Sequence, residues 1–142
     1  MHHAGLTVSD LERSLDFYTR LLDGRQHGPW DRSGPAVDAV TGYPGVVVRQ
    51  AFVEAPDGET LVELLQYVGA SDLVIDPDNG HVGAVHVAVT VPDLDRTLAR
   101  LADEGVTALS DPIRTSAGPM EGCRVVYVLD PDRIRVELVE LP

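Results

Sequence analysis

The sequence predicts an α+β fold: two tandem β-α-β-β-β modules whose strands form a curved mixed sheet around a cleft. Residues 3–15 (HAGLTVSDLERSL) lie over 86–98 (HVAVTVPDLDRTL) at an offset of 83, with His3/His86, Thr7/Thr90, Val8/Val91, Asp10/Asp93, Leu11/Leu94, Arg13/Arg96 and Leu15/Leu98 identical. A second match joins 56–65 (PDGETLVELL) to 131–139 (PDRIRVELV), with one extra residue in the first turn. The matches keep the same order in each half, and such self-similarity marks a duplicated supersecondary unit. The modules are therefore 1–67 and 82–142, together one domain. They are joined by a linker, 68–81, whose Asp76-Pro77-Asp78-Asn79-Gly80 run is turn chemistry.

Each module opens with an alternating strand, 2–8 in the first copy and 83–91 in the second. Ser9-Asp10 and Pro92-Asp93 then supply helix-start chemistry. The helix that follows carries an apolar stripe at Leu11, Leu15, Tyr18, Leu21 and Leu22, repeated as Leu94, Leu98, Leu101 and Ala102. Gly24 and Gly105 stand where a helix C-cap belongs. Strands are expected near 46–54 and 60–67, and near 106–109, 123–129 and 134–140. The Gly-, Pro- and charge-rich segment 25–45 offers only a strand near 36–40.

Composition narrows the function. The chain has 142 residues, 44% of them hydrophobic and 24% charged, enough to fill a core. Its apolar runs, such as 84–91, suit buried strands and are too short to span a bilayer. The formal net charge of −12 disfavours nucleic acid and anionic membrane surfaces, leaving a small-molecule substrate or another protein as partner. All 11 basic residues are arginines, which excludes a lysine Schiff base or a lysine general base. A lone Cys123 and no visible secretory signal predict a reducing, cytoplasmic setting.

Strand alternation singles out four residues. His3 shares a face with Gly5 and Thr7, and His86 shares one with Ala88 and Thr90. Glu63 sits between Val62 and Leu64, and Glu137 between Val136 and Leu138. A carboxylate with such neighbours is costly to bury unpaired, and here it recurs at matching places. One His–Glu pair per module gives an N₂O₂ set suited to a divalent transition ion with positions left open for substrate. The alternative for either pair taken singly is a solvated strand face; duplication is what favours the ion.

The openings H-x-G-L-T-V-S-D-L-E-R-S-L-D-F-Y and the closing D-P-D-x-x-x-V-E-L resemble the vicinal oxygen chelate superfamily, which includes glyoxalase I, methylmalonyl-CoA epimerase, extradiol dioxygenases, fosfomycin-resistance enzymes and bleomycin-binding proteins. The resemblance covers both halves apart from 25–45 and 68–81. It implies metal ligands on the first and last strand of each module, at His3, Glu63, His86 and Glu137, a set most similar to glyoxalase I. It also implies a divalent ion (Zn, Ni, Co, Mn or Fe) and a lyase or isomerase working through a metal-stabilised enediolate. Glu137 and Glu63 are the candidate catalytic bases. The alternatives are a non-catalytic drug-binding resistance protein and an Fe(II) extradiol-type dioxygenase.

Other residues are weighed beside these. Arg49 and Arg124 are candidates for holding an anionic substrate, since guanidinium forks match carboxylates. Phe52 and Tyr127 are candidates for lining its pocket, with core packing as the alternative. His2 reads as a surface residue, His27 and His81 as solvated, and Cys123 as packing. Sheet edges left by paired modules predict a homodimer.

Overall fold

A computed structural model describes residues 2–71 and 73–142. The chain divides into two units, the first ending at Ile75 and the second running Asp76–Pro142. Each holds one four-stranded mixed sheet, so the α+β duplication expected from the repeat is what the chain adopts.

The first unit begins with β1 (Ala4–Thr7) and α1 (Leu11–Leu22). Asp10 caps α1 by accepting from the Arg13 amide at 2.9 Å. Leu11, Leu15, Tyr18 and Leu21 are buried as expected, and Ser14 and Phe17 widen the stripe. The C-cap differs from expectation. Asp23 takes the left-handed conformation (φ 50°), and Gly24 is needed for a different reason: a Cβ there would stand 2.7 Å from Val53 Cγ1 and 2.9 Å from the Glu54 carbonyl oxygen.

Segment 25–45 corrects the sequence reading most. It forms β2 (Arg25–Arg32) and a short helix, α2 (Pro35–Thr41), in place of a strand at 36–40. Pro35 opens α2 after Gly34, and a left-handed Gly42 ends it. Seven residues of β2 are exposed and one intermediate, so the strand carries no buried alternation to detect. β3 (Val47–Glu54) and β4 (Leu61–Val68) complete the sheet, in the order β1-β4-β3-β2. β1 runs parallel to β4, the other neighbours are antiparallel, and α1 packs on β3 and β4.

The second unit repeats the plan with β5 (Val87–Thr90), α3 (Leu94–Asp103), β6 (Ile113–Arg114), β7 (Arg124–Leu129) and β8 (Arg135–Glu140), ordered β5-β8-β7-β6. Asp93 caps α3 through the Arg96 amide at 2.9 Å. β1 and β5 stand at the same places in the repeat, but residues 83–86 lie outside β5, and Val85, within the run 84–91 expected as a buried strand, is exposed. In α3 the buried positions are Leu94, Thr97 and Leu101, while Ala102 is exposed. The strand expected at 106–109 reduces to a single bridge, Ala108 to Val128. Among the described residues no helix is long and apolar enough to cross a membrane.

Candidate functional site

Parallel pairing of the first and last strand fixes the site in each unit. Gly5 lies opposite Glu63 in the β1–β4 register, so His3, two residues earlier, projects on the same side as the carboxylate. His3 Nε2 and Glu63 Oε2 are 3.2 Å apart, with the glutamate side chain 13% exposed and the imidazole 36%. In the second unit Ala88 lies opposite Glu137, and His86 Nε2 is 3.3 Å from Glu137 Oε2, with exposures of 40% and 18%. Imidazole and carboxylate thus meet twice, by the same register.

An aromatic ring flanks each pair. Phe52 lies opposite Glu63 on β3, its ring edge-on to His3 at 6.0 Å. Tyr127 lies opposite Glu137 on β7, edge-on to His86 at 5.4 Å, with its hydroxyl 3.5 Å from His86 Nε2. Burial, and then the neighbouring Glu137 charge, push the Tyr127 phenol above its ordinary 10.0.

Two residues that sequence reasoning missed support the first pair. Gln50 Nε2 donates to Glu63 Oε1 at 2.5 Å, leaving Oε2 directed at His3. A Cβ on Gly5 would stand 3.2 Å from that Oε2, so the glycine leaves room for the carboxylate. Strand register was the signal for both, because Gln50 is two residues from Phe52 and Gly5 two from His3. The equivalent of Gln50 in the second unit is Val125, which packs with Cys123, Val139 and Met120. Cys123 is accordingly a core residue.

The donor chemistry fits a divalent ion: each pair offers one imidazole nitrogen and one carboxylate oxygen, and the half-exposed histidines leave the donors accessible. Each unit holds two such donors. Among the described residues no group of three or more His, Cys, Asp or Glu side chains forms a ready ion site.

Arg49 and Arg124, expected on an anionic substrate, are engaged on the helix-packed side of their sheets. Arg49 bonds both Glu12 oxygens, at 2.5 and 3.1 Å, and Gln66 at 3.3 Å. Arg124 bonds both Asp95 oxygens, at 2.7 and 3.0 Å, and Glu140 at 3.3 Å. Glu12 and Asp95 are repeat equivalents, so this clasp is duplicated too. Its other half caps the helices: Gln66 accepts from the Leu11 amide and Glu140 from the Leu94 amide. The guanidinium bonds hold the Glu12 and Asp95 carboxyls below their ordinary values and push both arginines up. His27 is not simply solvated, since its Nε2 lies 2.6 Å from Glu54, whose carboxyl is lowered by Arg25 first and His27 second. His81 is exposed, 3.5 Å from Asp76, and His2 is exposed beside His3.

Comparison with known proteins agrees with this architecture. A 2-epi-5-epi-valiolone epimerase of an Actinomyces species is 30% identical over 151 residues, covering 100% of this chain and 79% of the relative. The lactoylglutathione lyase of Haemophilus influenzae is 28% identical over 97% of this chain and 90% of its own length. A glyoxalase family protein from Bacillus cereus shares the fold with a TM-score of 0.83 at 23% identity, covering 100% of this chain and 94% of that one. The model of one family matches residues 1–138, and the chain belongs to that family, the Glyoxalase/Bleomycin resistance protein/Dioxygenase superfamily.

Proposed function

We infer that the protein is a metal-dependent lyase or isomerase acting on a small carbonyl or vicinal-oxygen substrate. The observation that carries this reading is the duplicated contact, His3 with Glu63 at 3.2 Å and His86 with Glu137 at 3.3 Å. Two such half-sets brought to one ion, within a chain or across a homodimer, make a four-donor shell. Unlike the duplicated arginine clasps, whose carboxylates are neutralised by guanidinium groups, each repeated pair joins an imidazole nitrogen to a carboxylate oxygen, both of them ion donors. The relatives named an epimerase and a lactoylglutathione lyase support the same class.

His3, Glu63, His86 and Glu137 would hold the ion. When bound, it supplies Lewis-acid polarisation of the substrate's oxygen pair. The chain's own groups do the rest. One glutamate, Glu137 or Glu63, takes the proton from the carbon next to the carbonyl and returns it to that carbon or its neighbour. Gln50 keeps Glu63 oriented, and Phe52 and Tyr127 stand edge-on against the two imidazoles. The chain contains no lysine, so none competes as base. A cytoplasmic setting goes with this reading.

Exchange of substrate carbon-bound hydrogen for deuterium in D₂O, followed by proton NMR, tests it. The probes are the glutathione hemithioacetal of methylglyoxal and a cyclic polyhydroxy ketone. Exchange of at least one probe that stops on chelation and returns with added Zn, Ni, Co or Mn supports the proposal. Chelator-insensitive exchange, or exchange of neither probe, overturns it.

A further inference from the structure

We propose that Arg32 and Trp30 form a subsite for the anionic tail of the substrate, which makes that substrate a carboxylate whose apolar body separates the acid from its reacting oxygen pair. The inference rests on the reading of the His3–Glu63 pair given above and assigns the far end of the same site.

Four observations converge within the first unit. The register between β2 and β3 pairs His27 with Phe52, Trp30 with Gln50 and Arg32 with Val48. β2 advances three residues between the first two of these pairs while β3 advances two, an irregularity that puts Trp30 on the Gln50–Phe52 face. Trp30 and Arg32 therefore project on the same side as Glu63, the opposite side from Arg49.

The rings then form a continuous row. Arg32 lies over Trp30 at 5.7 Å, Trp30 is 6.4 Å from Phe52, and Phe52 is 6.0 Å from His3. The indole is held over a bare backbone, because a Cβ at Gly28 would stand 2.9 Å from Trp30 Cε3. Yet Trp30 stays 41% exposed, a large apolar residue left open beside the candidate site.

Charge completes the case. Arg25 is tied to Glu54 and Arg49 to Glu12, whereas among the described residues no carboxylate is found on Arg32, whose contact is the indole. In a chain of formal charge −12, an arginine without a carboxylate partner on the site face is the group that offsets repulsion of an anion. A guanidinium stacked on a ring keeps its donor edge free, and that edge matches a carboxylate.

Trp30 is the sole tryptophan, so its fluorescence reports on the subsite directly. The probes are 4-hexylbenzohydroxamate, with two vicinal oxygens and a neutral tail, and 4-(5-carboxypentyl)benzohydroxamate, whose tail of similar length carries an acid out along the Phe52–Trp30 row. We expect the acid to quench zinc-loaded protein with about tenfold higher affinity than the neutral probe, the worth of one charge-assisted bond. Arg32→Ala should abolish that preference and leave the neutral probe unchanged, while Arg32→Lys should keep part of it. Equal affinity for the two probes, a preference that survives Arg32→Ala, or no quenching by either at millimolar concentration overturns the subsite. Zinc-stripped protein separates the two proposals. An Arg32-dependent preference with no zinc dependence keeps the subsite and removes the ion, and zinc dependence without Arg32 dependence does the reverse.

Discussion

Replacing Gln50 with leucine removes one hydrogen bond at nearly constant side-chain volume, and the consequence can be worked from the structure. Gln50 Nε2 donates to Glu63 Oε1 at 2.5 Å, and the glutamate side chain is only 13% exposed. Water therefore cannot fully replace the lost donor, and a hydrogen bond to a charged group is worth about 1.5–3 kcal/mol. Groups that orient a metal ligand from behind typically change metal affinity by roughly 10–100-fold, or about 1.4–2.7 kcal/mol. The two routes agree. Competition with a chromophoric chelator should thus find zinc bound some 10–100-fold more weakly in Gln50→Leu, with far-UV circular dichroism unchanged. Gln26→Leu is the control, because Gln26 bonds Thr19 on the helix side of the sheet and should leave affinity alone. A Gln50→Leu protein that folds and binds zinc within about twofold of wild type would refute the role given to this amide.

Three further outcomes follow from the same geometry. Leu64 and Leu138 are fully buried at equivalent strand positions, so Leu64→Ala and Leu138→Ala should each cost about 2–5 kcal/mol in urea unfolding; a loss below about 1 kcal/mol would contradict the packing. Gly24→Ala drives a methyl into Val53 and the Glu54 backbone, and should destabilise by about 1–3 kcal/mol on the same assay. The arginine clasps predict acid sensitivity. Glu12 and Asp95 titrate below their ordinary 4.5 and 3.8, so their contribution is complete above those values and is lost as pH falls through the lowered ones. Urea midpoints should drop below about pH 4, and more steeply in wild type than in Arg49→Gln/Arg124→Gln; identical slopes would remove the clasps from the account.

The repeat made most of the architecture legible from sequence. An offset of 83 carried the first strand, the aspartate cap and the helix from one module to the other, and the structure places β1 and β5, and the starts of α1 and α3, at that spacing. Glu63 and Glu137 were visible as carboxylates between buried neighbours, and Val62, Leu64, Val136 and Leu138 are indeed buried. Segment 25–45 was not legible for a physical reason. An edge strand with exposed side chains has no period-2 signal, and the Gly28-Pro29 step interrupts what pattern remains. Trp30 and Arg32 were lost with it. Gln50 and Gly5 share strand faces with Phe52 and His3, but their contact with Glu63 depends on cross-strand register, which no single segment encodes. The arginine clasps were within reach, since Glu12 and Asp95 align in the repeat and Arg49 and Arg124 each lie on the strand before the closing one.

Metal stoichiometry by elemental analysis bears most directly on the central claim. Wild type purified without chelator, beside His3→Ala, Glu63→Ala, His86→Ala and Glu137→Ala, is the set to measure. One divalent ion per chain, largely lost from every variant while each still folds, is the result this account predicts. Full metal content after replacement in either module, Glu137→Ala above all, would mean that the two pairs do not serve a common ion.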